Sequence, residues 1–231
     1  MYHALVLLGL LAVATDAGAG TRATSFGGGA CGKLSGGVAL PCSGGNYESF
    51  SSLACTLGRN HLHPLVARTV TDAYALLQAR HPDRRWQYGE TGFRDGGRFW
   101  PHRTHRAGVS ADFFVPVSRG VEPALLPVHP FNLLGYGVDV DARGVSGALR
   151  VDFRALADHL AALEEAGKVH GVEVRLVILD KPLQKLLLHE VPAARAFKKR
   201  FNKGTPWVRH DEHYHVEFTI PAAYRKPLKC R

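Results

Sequence analysis

Between Pro206 and Phe218 the chain reads Pro-Trp-Val-Arg-His-Asp-Glu-His-Tyr-His-Val-Glu-Phe, with three histidines and two acids in the six residues from His210 to His215. This stretch constrains the fold more than any other, because it runs into a β-type sequence and side chains alternate faces along a strand. His213 and His215 then share one face with Glu217, while Tyr214, Val216 and Phe218 point to the other and can enter a core. Two imidazoles side by side on a rigid strand suit a metal ion, since such a site needs its ligands held before the ion arrives. Taken alone the pattern is weak, because the chain contains 13 His and most histidines are structural or solvated.

A second stretch, far upstream, strengthens it. Pro101-His102-Arg103-Thr104-His105-Arg106-Ala107-Gly108-Val109-Ser110-Ala111-Asp112 leads into the apolar run Phe113-Phe114-Val115-Pro116-Val117. A catalytic zinc typically takes three protein ligands and leaves one position open. His105, Asp112 and one of His213 or His215 make such a set. The odd separation of His105 and Asp112 would place them on opposite faces of a regular strand; Gly108 supplies a turn that brings them back together.

The two patterns, H-x-x-G-x-S-x-D and H-x-x-H-x-H, resemble those of the zinc peptidases grouped with lysostaphin, the D-Ala-D-Ala peptidases and the hedgehog domain. Within that group the chain most resembles the penicillin-insensitive murein endopeptidases. The resemblance extends to Leu57-Gly58-Arg59 with His63-Pro64, to Tyr88-Gly89-Glu90-Thr91-Gly92, to Gly96-Gly97-Arg98 and to Pro206-Trp207, and so runs over most of the chain from about Cys31 onward. It implies one zinc ion held by His105, Asp112 and His215, with His213 beside the attacked carbonyl as the main catalytic residue. His210 and His102 would line the cleft, His210 as a further catalytic residue and His102 on the substrate side; no ligand of a second ion is named beyond His102. The implied substrate is the D-alanyl–meso-diaminopimelyl cross-link of peptidoglycan, and penicillin would find no serine nucleophile to acylate. Zinc would supply a bound water with its pKa lowered to about 7 and a polarised scissile carbonyl.

One feature departs from a plain match. Glu212-His213-Tyr214-His215 is also the E-x-x-H pattern of the D-Ala-D-Ala peptidases, which makes Glu212 a second candidate for the general base. It also leaves a carboxypeptidase or dipeptidase as an alternative. On a regular strand Glu212 faces away from His213, so it reaches the reaction only if the chain turns between Arg209 and His213. A non-catalytic zinc-containing wall-binding module is the alternative from another class, because hedgehog relatives bind rather than cut.

The remaining sequence sets the frame. With 231 residues and 45% hydrophobic content the chain can bury a sizeable core as one domain, and it shows neither internal repeats nor an interdomain linker. The net charge of +9 points to an anionic partner; no helix-turn-helix, zinc-finger or RNA-binding pattern supports nucleic acid. Residues 1–19 read as a signal peptide, whose apolar run Ala4–Ala14 is too short to span a bilayer. No other stretch is long and apolar enough to do so; the signal peptide makes a periplasmic or otherwise extracytoplasmic location the expectation. Cys31, Cys42, Cys55 and Cys230 form no C-x-x-C pair and allow three pairings; the resemblance favours Cys31 with Cys230 and Cys42 with Cys55. Residues 20–52, rich in Gly and Ser, read as an irregular disulfide-linked arm, and 53–231 as the peptidase domain.

Helices are expected from Pro64 to the His81-Pro82 stop, and from Phe153 to about Ala166 after an Asp152 cap. Lys181 to Phe201 reads as helical in pieces, broken at Pro192. Val172–Leu179 reads as a central strand. With strands at Tyr88, Asp112 and His215, these elements predict an α+β fold, a compact antiparallel sheet flanked by helices.

Overall fold

The computed structural model describes residues 22–28, 31–128 and 137–229; the expected signal segment and Cys230 lie outside them. A five-stranded sheet organises the chain. Its strands run in the order Glu173–Ile178, His213–Thr219, Ser110–Phe114, Trp86–Tyr88 and Tyr47–Ser49. All neighbours are antiparallel except the last pair, which is parallel. The fold is α+β.

The alternation read from the sequence decides what each face does. Tyr214 pairs with Phe113 and Val216 with Ala111, and these four side chains are buried towards the helices Pro64–Arg80 and Phe153–His170. Those helices pack on each other, and Phe113 meets His159 of the second at a ring distance of 4.7 Å. The opposite face carries His213, His215 and Glu217 across from Phe114, Asp112 and Ser110.

Both helices begin and end where local chemistry dictates. His63 accepts the Leu65 N–H ahead of Pro64 at 3.3 Å, so this histidine is structural. Asp152 accepts the Ala155 N–H at 3.0 Å, and Gly171 closes that helix in the left-handed region at φ 66°. The next helix, Lys181–Glu190, gives way at Pro192 to a 3₁₀ segment, Pro192–Arg200. No helix among the described residues is long and apolar enough to cross a membrane.

Two expectations need correction. Glu173–Ile178 is an outer strand of the sheet, not a central one. Its apolar character reflects another cover: Asn202 N–H donates to Val177 O at 3.0 Å, and a bridge joins Val177 to Phe201. The amino-terminal arm, in turn, is not irregular. Thr24–Gly28 forms a hairpin with Cys31–Ser35 and a parallel pair with Arg225–Lys226, and Tyr47–Ser49 belongs to the main sheet. A Cys42–Cys55 disulfide ties this region to the short helix Ser52–Thr56. Cys31 is also disulfide-bonded.

Candidate metal centre

The site is built around Asp112. It occupies the middle strand of the sheet, directly opposite His215, whose Nδ1 lies 2.8 Å from Asp112 Oδ1. His105 Nε2 lies 3.2 Å from the same oxygen, and His102 Nδ1 is 3.7 Å from Oδ2. His102, His105 and Asp112 present ligand atoms within 4.8 Å of one another, all buried, and could hold a metal ion. The ring of His215 is 4.7 Å from that of His105.

The chain reaches this geometry through two left-handed residues. Gly108, at φ 69°, turns the chain as its spacing required, and an added Cβ would meet Leu34 Cδ2 at 2.5 Å. His105 itself sits at φ 64°, a conformation that costs a non-glycine residue energy and that recurs at functional sites.

The segment Tyr88–Gly92 supplies a second layer that sequence reasoning did not assign to the site. Buried Glu90 accepts a hydrogen bond from His102 Nε2 at 2.6 Å and is ion-paired to Arg59. Arg59 also donates to the carbonyl of Trp100 at 2.8 Å, fixing the entry to His102. Thr91 O accepts from His105 Nδ1 at 3.2 Å, which fixes that ring's tautomer and directs its Nε2 at Asp112. The signal available in the sequence was the resemblance carried by Tyr88-Gly89-Glu90-Thr91-Gly92, with its glycines around Glu90.

The charges are consistent with a cation site. Burial alone would raise the Asp112 carboxyl, but the adjacent His105 and the hydrogen bond from His215 hold it well below the usual carboxylate range. Burial also opposes a charge on His105, yet Asp112 raises its pKa. Burial pushes His215 down to about 4 and His213 to about 3, leaving both imidazoles neutral, the form that ligates metals. His105 Nε2 is buried and makes no hydrogen bond. With its Nδ1 committed to Thr91, a neutral His105 aims a lone pair at a carboxylate oxygen. Only a proton or a cation between them relieves that repulsion, so these residues fit a metal ion.

The other expected site residues lie alongside. His213 follows the face of His215 and lies 4.8 Å, ring to ring, from His210. His210 is tied at its main chain to Asp180, whose Oδ1 accepts its N–H at 3.0 Å. Glu212 precedes the strand, in a bend, and its Oε2 accepts the Val138 N–H at 2.9 Å. Neighbouring Asp211 accepts the Val140 N–H at 2.9 Å. The acidic pair therefore anchors the segment 138–140 beside the histidines.

Against known families, the chain matches the model described as penicillin-insensitive murein endopeptidase over residues 25–230, nearly its whole length. Comparison with curated proteins gives no match.

Proposed function

The chain belongs to the penicillin-insensitive murein endopeptidase family, and from that membership we propose that it is an extracytoplasmic zinc peptidase that hydrolyses the D-alanyl–meso-diaminopimelyl cross-links of peptidoglycan. The observation that carries the metal in this reading is the convergence of His105, His215 and His102 on the one buried carboxylate of Asp112. His105, Asp112 and His215 would hold the ion, one carboxylate and two neutral imidazoles being an ordinary zinc donor set. When bound, the ion supplies an activated water and polarises the scissile carbonyl.

The residues around it have separate tasks in this reading. Neutral His213 hydrogen-bonds the reacting groups and moves the proton from the attacking water towards the leaving amine. His102, oriented by Glu90, faces the substrate, with His210 bordering the cleft. Glu212, committed to the Val138 N–H, shapes the wall of the cleft and ranks behind His213 as a base. The disulfide of Cys42 with Cys55 accords with an oxidising compartment. The net charge of +9 accords with a wall polymer bearing free carboxylates.

Mass spectrometry of purified muropeptide dimers after incubation with the protein tests this reading. Monomers should appear, penicillin should leave the yield unchanged, and a chelator should abolish it. Dimers that remain intact with zinc present, or lose only a terminal D-alanine, would contradict it.

A further inference from the structure

His215 can use its Nδ1 in only one way at a time. In this structure Nδ1 faces Asp112 Oδ1 at 2.8 Å, and since a carboxylate only accepts, that nitrogen carries the ring's proton. A ring in that tautomer cannot ligate through Nδ1. Its other nitrogen, Nε2, is then a bare acceptor, buried and without a hydrogen bond. Directly behind it stands another carboxylate. Glu217 lies two residues along the same strand face, is only 7% exposed, and places Oε1 3.7 Å from His215 Nε2. Its second oxygen, Oε2, is taken by Arg175 on the neighbouring strand. The arrangement faces an acceptor with an acceptor, and it becomes favourable only once Nε2 carries a proton.

We propose that Glu217 is a positioning residue for the metal: it draws the His215 proton to Nε2 and so frees Nδ1 as the ligand. The ring stays neutral throughout, one proton leaving Nδ1 for solvent as another joins Nε2. Arg175 holds one carboxylate oxygen so that the other stays aimed at the ring. A metal-bound imidazole whose second nitrogen donates to a carboxylate is held in one orientation and is a stronger ligand. This inference rests on the zinc reading given above, and it assigns work to a residue outside the ligand set.

Equilibrium zinc binding by the full chain, competed against a chelating dye, tests it, together with ¹⁵N NMR of the histidine rings; the His215 signals are identified by their loss in His215→Gln. In the zinc-loaded wild type, His215 Nε2 should appear protonated. Glu217→Leu should bind zinc roughly 10–100-fold more weakly, with an unchanged circular dichroism spectrum before metal is added. Glu217→Gln, whose amide oxygen still accepts, should recover most of the affinity. Equal affinity in wild type and Glu217→Leu would overturn the proposal. If the leucine variant fails to fold, an unprotonated Nε2 in zinc-loaded wild type would overturn it instead. Failure of the wild type itself to bind zinc is a separate result, and it would remove the zinc reading as well.

Discussion

His215 and Asp112 face each other across two antiparallel strands, 2.8 Å apart between Nδ1 and Oδ1. Because the pair is fixed by sheet register, a ligand set that includes it is rigid before any ion binds. His105→Ala, Asp112→Ala and His215→Ala should each therefore lose stoichiometric zinc while keeping their secondary structure. Metal analysis of dialysed protein, with circular dichroism as the control, checks this. Full zinc retention by the Asp112 variant would show that the carboxylate is not a ligand.

His213 and Glu212 are adjacent in sequence but differ in surroundings. His213 sits on the strand face that carries His215, whereas Glu212 is held to the Val138 N–H in the bend before the strand. His213→Ala should keep its zinc and lose about 10²–10⁴-fold in kcat, the usual contribution of a general acid–base residue. Glu212→Gln, which can still accept from Val138, should lose far less. Steady-state rates on a muropeptide dimer decide between them. A dead Glu212→Gln beside an active His213→Ala would assign the base to Glu212, as the E-x-x-H pattern allows.

Much of this geometry was legible in the sequence because it is local. The alternation from His213 to Phe218 gives the two faces of the strand, and the odd gap from His105 to Asp112 called for the turn that Gly108 makes. What was not legible depends on distant partners. The Gly-rich arm has little strand propensity, yet Thr24–Gly28 becomes a strand by pairing with Cys31–Ser35 and with Arg225–Lys226. The run from Val172 reads as central because it is apolar, but Phe201 and its neighbours, not another strand, border its outer side. Glu90 lies in a stretch that carries the resemblance, but that stretch gives it no role; its place beneath His102 follows from an antiparallel pairing that spacing does not reveal.

Acid should destabilise the fold through His159, on the helix side of the sheet. Burial lowers its pKa to about 3, whereas an unfolded histidine titrates near 6.5. Between these values the unfolded chain binds the extra proton, so stability falls as pH drops from about 6.5 towards 3, by at most about 1.4 kcal/mol per pH unit for this group. Urea unfolding at pH 7.5 and pH 5 should show that loss in the wild type. His159→Gln, which retains an acceptor for the Tyr214 hydroxyl, should reduce it. Parallel losses in both proteins would show that His159 is not responsible. His213 and His215, also lowered, leave part of the dependence in place.

The cysteines give an independent test of compartment and stability. Cys42 and Cys55 are 13 residues apart in the chain, a loop whose closure is worth about 3 kcal/mol. Thiol titration of the native protein, isolated without reductant, should find no reactive cysteine, and reduction should lower the urea midpoint accordingly. Two or more free thiols would contradict the oxidised state.

A peptidase whose metal is held by His105, Asp112 and His215 should respond to zinc titrated into chelator-stripped protein while cleavage of a muropeptide dimer is followed. Cleavage should be absent without metal, rise to a plateau at one zinc per chain, and fail to recover at any zinc level near stoichiometric in His215→Ala. Cleavage at full rate by the stripped protein, or an unaltered titration in the variant, would contradict this metal site.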